Sequence, residues 1–187
     1  MLQNNDCKKL LFLNEGASYG FGTKNQHFLK EMFMSSTLEE SFMREAIAEA
    51  HKASACGEVP IGAVAVVDEK VVCRSHNLRE RTHNPLGHAE LLLLDQLAKM
   101  HKSWRLEEVT LYVTCEPCLM CAGALLQARV RRLVYGCRDP KAGACGSLYN
   151  VVEDARFNHQ IEVIQGVLAE ECGALLSQFF RDLREKK

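Results

Sequence analysis

The chain has 187 residues, 47% of them hydrophobic, with 23 basic side chains against 24 acidic ones and nine cysteines. That length and composition fit a folded domain with room for a sizeable core and argue against overall disorder. The cancelled charge gives no compositional sign of a nucleic-acid partner, though it is blind to a local basic patch; an odd cysteine count in a chain too large to need disulfide staples favours metal ligands and buried thiols over a secreted scaffold.

Residues 1–35 mix Asn, Gly, Lys and scattered aromatics without a period. They read as a flexible N-terminal extension or as the product of an upstream start, ahead of a domain at 36–187; a regulatory or RNA-binding arm is the other reading. Lys8 and Lys9 precede only four apolar residues, too few for a signal peptide, and no stretch approaches the length of a membrane span. A cytoplasmic protein without membrane association is expected.

Ser36 with Glu39, or Thr37 with Glu40, offers a capping box for a helix running to about Ser54, with Phe42, Ala46, Ala50 and Ala53 at helical spacing. Strands at 62–67 and 70–73 flank Asp68-Glu69, a tight turn. A polar loop at 77–87 leads into a leucine-rich helix from about His88 to Met100. Residues 109–114 form a β-branched strand, 118–128 a helix and 132–135 a short strand. After a loop holding DPKAGACG at 139–146 come a fifth strand at 161–164 and a last helix at 169–185, with Ala174, Leu175, Phe179 and Leu183 as its inner face. The hairpin opens an antiparallel part of the sheet, and the helices between later strands imply parallel crossovers. A three-layer α/β/α domain is expected, with a five-stranded mixed sheet and helices on both faces.

Two short motifs carry chemistry: His88-Ala89-Glu90 and Pro117-Cys118-Leu119-Met120-Cys121. Either one alone is common. In this order, each at a predicted helix start after a loop, they match the zinc-deaminase pattern H-x-E…P-C-x-x-C. A three-residue offset puts Cys118 and Cys121 on one helix face, and Pro117 suits the helix start. Two helix N-termini converging at one sheet edge bring partial positive charge, which favours thiolate. His88, Cys118 and Cys121 supply three ligands to one Zn2+, leaving the fourth position for water. Zinc makes hydroxide available from that water near neutral pH, and Glu90 is the catalytic acid/base that carries the proton to the ring nitrogen and the leaving amine. Backbone N–H groups near Ala89 and Cys118 are placed to hold the attacking oxygen.

Cys115 raises the count of thiols at this spacing to three. It precedes Glu116, which Pro117 biases to extended backbone, so it falls outside the helical turn and reads as packing near the pocket floor. Cys7, Cys56, Cys73, Cys137, Cys145 and Cys172 are assigned packing roles only. His51, His76, His83, His101 and His159 lack paired ligand spacing. Arg129, Arg131 and Arg132 read as a solvated charge run or part of a phosphate-binding surface.

Over roughly Thr37 to Arg184 the chain resembles the bacterial tRNA-specific adenosine deaminases, of the cytidine deaminase-like zinc deaminase superfamily. The likeness rests on the zinc motifs and on EVPIGAV at 58–64, NPLGHAE at 84–90, RDPKAGACGSL at 138–148 and LSQFFR at 176–181. It implies the cytidine deaminase-like fold, a homodimer, and hydrolytic conversion of adenosine to inosine at the wobble position of a tRNA anticodon by a zinc-bound hydroxide. In the resembled family Asn77 would bond the flipped base, Val59 and Pro60 would wall the pocket with Ala89, and Asp139 and Lys141 would lie near neighbouring nucleotides. Phe179, Phe180 and Arg181 would contact the anticodon stem-loop. From the residues alone, Asn77 and Asp139 are equally readable as turn formers. Phe179 and Phe180, adjacent on a helix, face different ways, one into the core and one out to stack on a base.

Two other functions compete. A small-molecule deaminase of cytosine nucleosides, nucleotides or guanine would share the zinc site. A structural zinc module binding RNA without chemistry would need a fourth protein ligand, with Cys115 as the candidate.

Overall fold

A computed structural model describes residues 23–186, with side chains from Thr37 onward. The expectation for residues 1–35 falls for its larger part, 1–22, outside the described residues. Packing groups Ser36–Lys187 as one unit, and that unit is described below.

Helix α1 spans Thr23–Ala55, so its start lies well before the expected capping box, and Ser36 and Thr37 are interior residues. No proline or glycine stands between Thr23 and Ser36 to break the helix. Strands β1 (Gly62–Val67) and β2 (Lys70–His76) form the hairpin. Asp68 and Glu69 both take positive φ, 47° and 57°, as a two-residue hairpin turn requires. β2 extends beyond its predicted end because β1 keeps pairing with it, up to Gly62 against His76. A four-residue helix that the sequence did not signal, α2 (Arg79–Thr82), follows. Then come α3 (Ala89–His101), β3 (Thr110–Cys115), α4 (Leu119–Gln127), β4 (Arg132–Cys137), β5 (Glu162–Gln165) and α5 (Ala169–Glu185).

The sheet order is β2-β1-β3-β4-β5. β1 is antiparallel to β2 and β3, whereas β3, β4 and β5 run parallel. The expected mixed five-stranded sheet is present, with helices on both faces. Alternating residues feed two cores. Ala63, Ala65, Leu111, Val113, Leu133 and Tyr135 pack with Leu93 and Leu97 of α3 and Leu125 of α4. Val64, Val66, Tyr112 and Val134 pack with Phe42, Met43 and Ile47 of α1 and Cys172 of α5. A sheet covered on both sides explains why every residue of β3 is buried.

The inner face of α5 differs from the expected one. Cys172 is its buried residue, with Leu175 and Phe179 half-buried, while Ala174 is exposed and Leu183 is 43% exposed. Counting from Cys172, the helical period brings in 175 and 179 and turns 174 outward. The approach to β4 is close, since a Cβ on Gly136 would lie 2.4 Å from Cys172 Sγ.

Candidate active site

The parallel strands deliver the site. β3 ends at Cys115 and β4 at Cys137, so the chain leaves their C-terminal ends on the same sheet edge, the usual place for a site in open α/β sheets. At that edge α3 and α4 begin. His88 is the N-cap of α3 and Cys118 the N-cap of α4, both with extended backbone and neither bonding its own helix through its side chain. Both side chains are thereby left for another partner. Pro117 stands one residue ahead of the cap, not inside the helix. Cys121, one turn on, faces the same spot.

His88 Nδ1 lies 3.7 Å from Cys118 Sγ and 3.5 Å from Cys121 Sγ. Ligand atoms of these three residues, and no other such group among the described residues, come within 4.8 Å of one another. The donor set fits zinc. Bonds of about 2.3 Å to sulfur and about 2.1 Å to nitrogen at the tetrahedral angle give an N–S edge of about 3.6 Å, and the two observed edges bracket that value. Among themselves the groups share protons. Cys118 is pulled down to about 4 by the Cys121 thiol bonded to it and by His88. Cys121 is pushed up by that same bond and by burial, and His88 is raised by its bond to Cys118.

Glu90 is 4% exposed, and burial pushes its carboxyl up, with the charge on Cys118 adding to the effect. It stands beside the ligand set without belonging to it. Cys115 also stays out of that set. It is 5% exposed, pairs with Cys137 across β3 and β4, and is pushed up by its bond to the Cys137 sulfur. The candidate ligand set therefore numbers three.

A cavity of about 100 Å3 opens beside Glu90, lined by Val59, Ile61, Asn77, Arg79, His88 and Ala89. Its wall corrects one expectation. Pro60 is buried and lines neither this cavity nor the adjoining groove, whereas Ile61 does; the Ile61 N–H bonds the Val59 carbonyl at 2.8 Å, a tight turn about Pro60. Val59 and Ile61 are shared with an open groove of about 670 Å3. Its further lining comes from Cys115, from Arg138 to Lys141, and from α5 through Leu176, Ser177, Phe180, Arg181 and Arg184. The groove therefore combines an exposed aromatic ring with four basic side chains. Phe179 is not part of the lining; it is half-buried and meets Phe180 edge-on at 5.4 Å. Leu176, Ser177 and Arg184 were missed from the sequence, although they recur at helical spacing with Phe180 and Arg181.

Two buried carboxylates were also missed. Glu116 is 3% exposed and accepts from the backbone N–H groups of Asp139 (3.0 Å), Cys145 (3.0 Å) and Ser147 (2.9 Å), and from the Ser147 hydroxyl. Burial raises its pKa, but those donors outweigh it and the net shift is downward. Gly143 makes room, since a Cβ there would sit 2.4 Å from the Glu116 carboxyl carbon. Asp139 in turn accepts from the N–H groups of Lys141 (2.9 Å) and Ala142 (3.2 Å), so it forms the turn and lines the groove as well. Glu58, fully buried, bonds Asn77 and the start of α2. Nothing in the local spacing marks a glutamate as buried when its donors come from distant loops.

The arginine run lies at the other end of the sheet, leading into β4, whose first residue is Arg132. Arg129 bonds the Asn158 carbonyl, Arg131 bonds Thr110, and Arg132 pairs with Glu39 and Glu162. It takes no part in the groove.

Residues 37–184 match the MafB19-like deaminase family. The chain is 54% identical over 151 residues to the tRNA-specific adenosine deaminase of Bacillus subtilis (strain 168), covering 81% of this chain and 94% of that protein. It is 47% identical over 153 residues to the tRNA-specific adenosine deaminase of Haemophilus influenzae, covering 81% and 88%. A solved structure from biochemical and structural studies of A-to-I editing by tRNA:A34 deaminases at the wobble position of transfer RNA superposes with a TM-score of 0.70 at 39% identity, covering 73% of this chain and 99% of that one.

Proposed function

This chain belongs to the MafB19-like deaminases and to the tRNA-specific adenosine deaminases, and on that premise we propose that it converts adenosine to inosine at the wobble position of a tRNA anticodon, water replacing the 6-amino group as ammonia leaves. The observation that carries this reading is the continuity of the site. A buried glutamate beside a His-Cys-Cys set borders a cavity, which shares Val59 and Ile61 with a basic, aromatic groove.

His88 Nδ1, Cys118 Sγ and Cys121 Sγ would hold one Zn2+, which supplies Lewis-acid activation of water. Glu90 performs the proton transfers. It takes one proton from the attacking water and delivers it to N1 of the ring, then takes the second from the hydroxyl formed at C6 and gives it to the departing amine. Its burial pushes the carboxyl's pKa up, the direction that favours a proton shuttle over a permanently ionised carboxylate. Val59, Ile61 and Ala89 hold the flipped base against Glu90 and exclude bulk water, and Asn77 bonds its edge. Phe180 stacks on a neighbouring base, while Arg138, Lys141, Arg181 and Arg184 neutralise phosphates.

The chain acts as a homodimer. Trp104 is 58% exposed and lines a groove of about 510 Å3 with apolar groups of α3 and α4 such as Leu91, Ala98 and Ala124. An exposed apolar groove of this kind marks an interface. Trp104→Glu should shift sedimentation from dimer to monomer. Among the described residues, no helix is long and apolar enough to cross a membrane.

Sequencing tRNA after incubation with the protein tests the function, because inosine reads as guanosine. Conversion confined to the wobble adenosine is expected. Turnover of free cytidine or guanine with tRNA unchanged would overturn the reading.

A further inference from the structure

Glu58 has no solvent exposure and lines neither the cavity nor the groove, yet it stands immediately before Val59 and holds two parts of the pocket at once. Its Oε2 accepts from Asn77 Nδ2 at 3.2 Å and from the Glu80 N–H at 3.2 Å, and its Oε1 accepts from the Arg81 N–H at 2.6 Å. The loop after β2 is thus tied through one carboxylate to the segment that forms the opposite wall.

The consequence falls on Asn77. An asparagine amide has a donor end and an acceptor end of nearly the same shape, so a pocket can be offered either. Backbone N–H groups can only donate, which commits both oxygens of Glu58 as acceptors. Turning the Asn77 amide over would then set its Oδ1 against a carboxylate oxygen, two buried acceptors with no proton between them. Asn77 is itself only 5% exposed and lines the cavity with His88, Ala89 and Glu90.

We propose that Glu58 is the positioning residue for base recognition: it holds the Asn77 amide in a single orientation and so fixes the hydrogen-bonding group offered to the purine edge opposite Glu90. This rests on the reading of the cavity as the adenine site. Glu58 lines neither the cavity nor the groove, and its effect on base recognition runs through Asn77.

The test is a double-mutant cycle on the zinc-loaded full chain with an anticodon stem-loop. Glu58→Gln keeps the shape but adds a donor, which lets the amide turn over. Glu58→Gln and Asn77→Ala should each lower kcat/KM roughly tenfold, and the double variant should fall no further than Asn77→Ala alone. Zinc content should stay unchanged. Because Glu58 also holds α2, a second measurement is made within each sample, where the folded fraction cancels. Stem-loops carry 3-deazaadenosine or 7-deazaadenosine at the wobble position, and their turnover is divided by that of the adenosine substrate. Wild type should penalise loss of one of these nitrogens, and both single variants should lose that penalty together. Multiplicative losses in the cycle overturn the proposal, as does a wild-type penalty retained in Glu58→Gln, or no penalty in wild type for either nitrogen. A wild type inert on every stem-loop overturns the adenine-site reading and the proposal with it.

Discussion

The corner where α3 and α4 begin and the groove lined by α5 are built in opposite ways. The corner takes four candidate side chains from two short motifs, each at a helix start, with Glu90 and Cys121 buried and His88 and Cys118 half-buried. The groove takes its lining from segments near 59–61, 115, 138–141 and 176–184, and leaves much of it exposed. One is a local pattern repeated at a sheet edge; the other exists only after the chain has closed. The corner is suited to chemistry, which needs fixed geometry and low water. The groove is suited to a large polar ligand, which needs charge and stacking surface spread over a wide area.

This contrast predicts a hierarchy of effects. Stripping metal with a chelator should reduce deamination to background and lower the unfolding temperature, with both restored by adding back one Zn2+ per subunit. Activity that survives verified metal removal would end the zinc assignment. Glu90→Ala should cost about 10^2- to 10^4-fold in kcat while zinc content and tRNA affinity hold, and a retained kcat would deny Glu90 its acid/base role.

Groove changes should be milder and appear mainly in binding. Phe180→Ala should lower affinity for the stem-loop by about 5- to 100-fold. Arg181→Ala and Arg184→Ala should each reduce the slope of log affinity against log salt by about 1, with kcat nearly unchanged. If these variants lost kcat as heavily as Glu90→Ala does, the division between corner and groove would collapse.

The smallest effect is expected at Glu116, which ties the 139–147 loop to the strand leading into Cys118. Its folded pKa lies below the ordinary 4.5, so its contribution is fully present above that value and is lost as pH falls toward and through the folded value. Glu116→Gln should therefore destabilise by about 1–3 kcal/mol near neutral pH. The gap to wild type in thermal unfolding should close on acidification below pH 4.5. A gap that stays constant across that range would remove the carboxylate from the account.

Much of the molecule was legible in advance. Strand β1 falls where its β-branched run predicted, and α3, β3, α4, β5 and α5 fall within a residue or two, because periodicity and turn residues report directly on backbone preference. The start of α1 was misplaced because a capping box is permission for a terminus and not a demand for one. Pro60 and Phe179 belong to contiguous motifs, yet the lining comes from their neighbours: Val59 and Ile61 flank a tight turn about Pro60, and adjacent residues on a helix, as Phe179 and Phe180 are, point in different directions.

What the sequence determined by itself was the chemistry: His88, Glu90, Cys118 and Cys121 at spacings that only a helix start turns into a cluster, and three thiols of which Cys115 belongs to the strand. Tertiary structure alone decided which face of α5 meets the groove and how the 139–147 loop is pinned. It also turned Glu58 and Glu116 into buried anchors. A side chain's exposure and its distant donors are properties of packing between elements, and no local spacing encodes them.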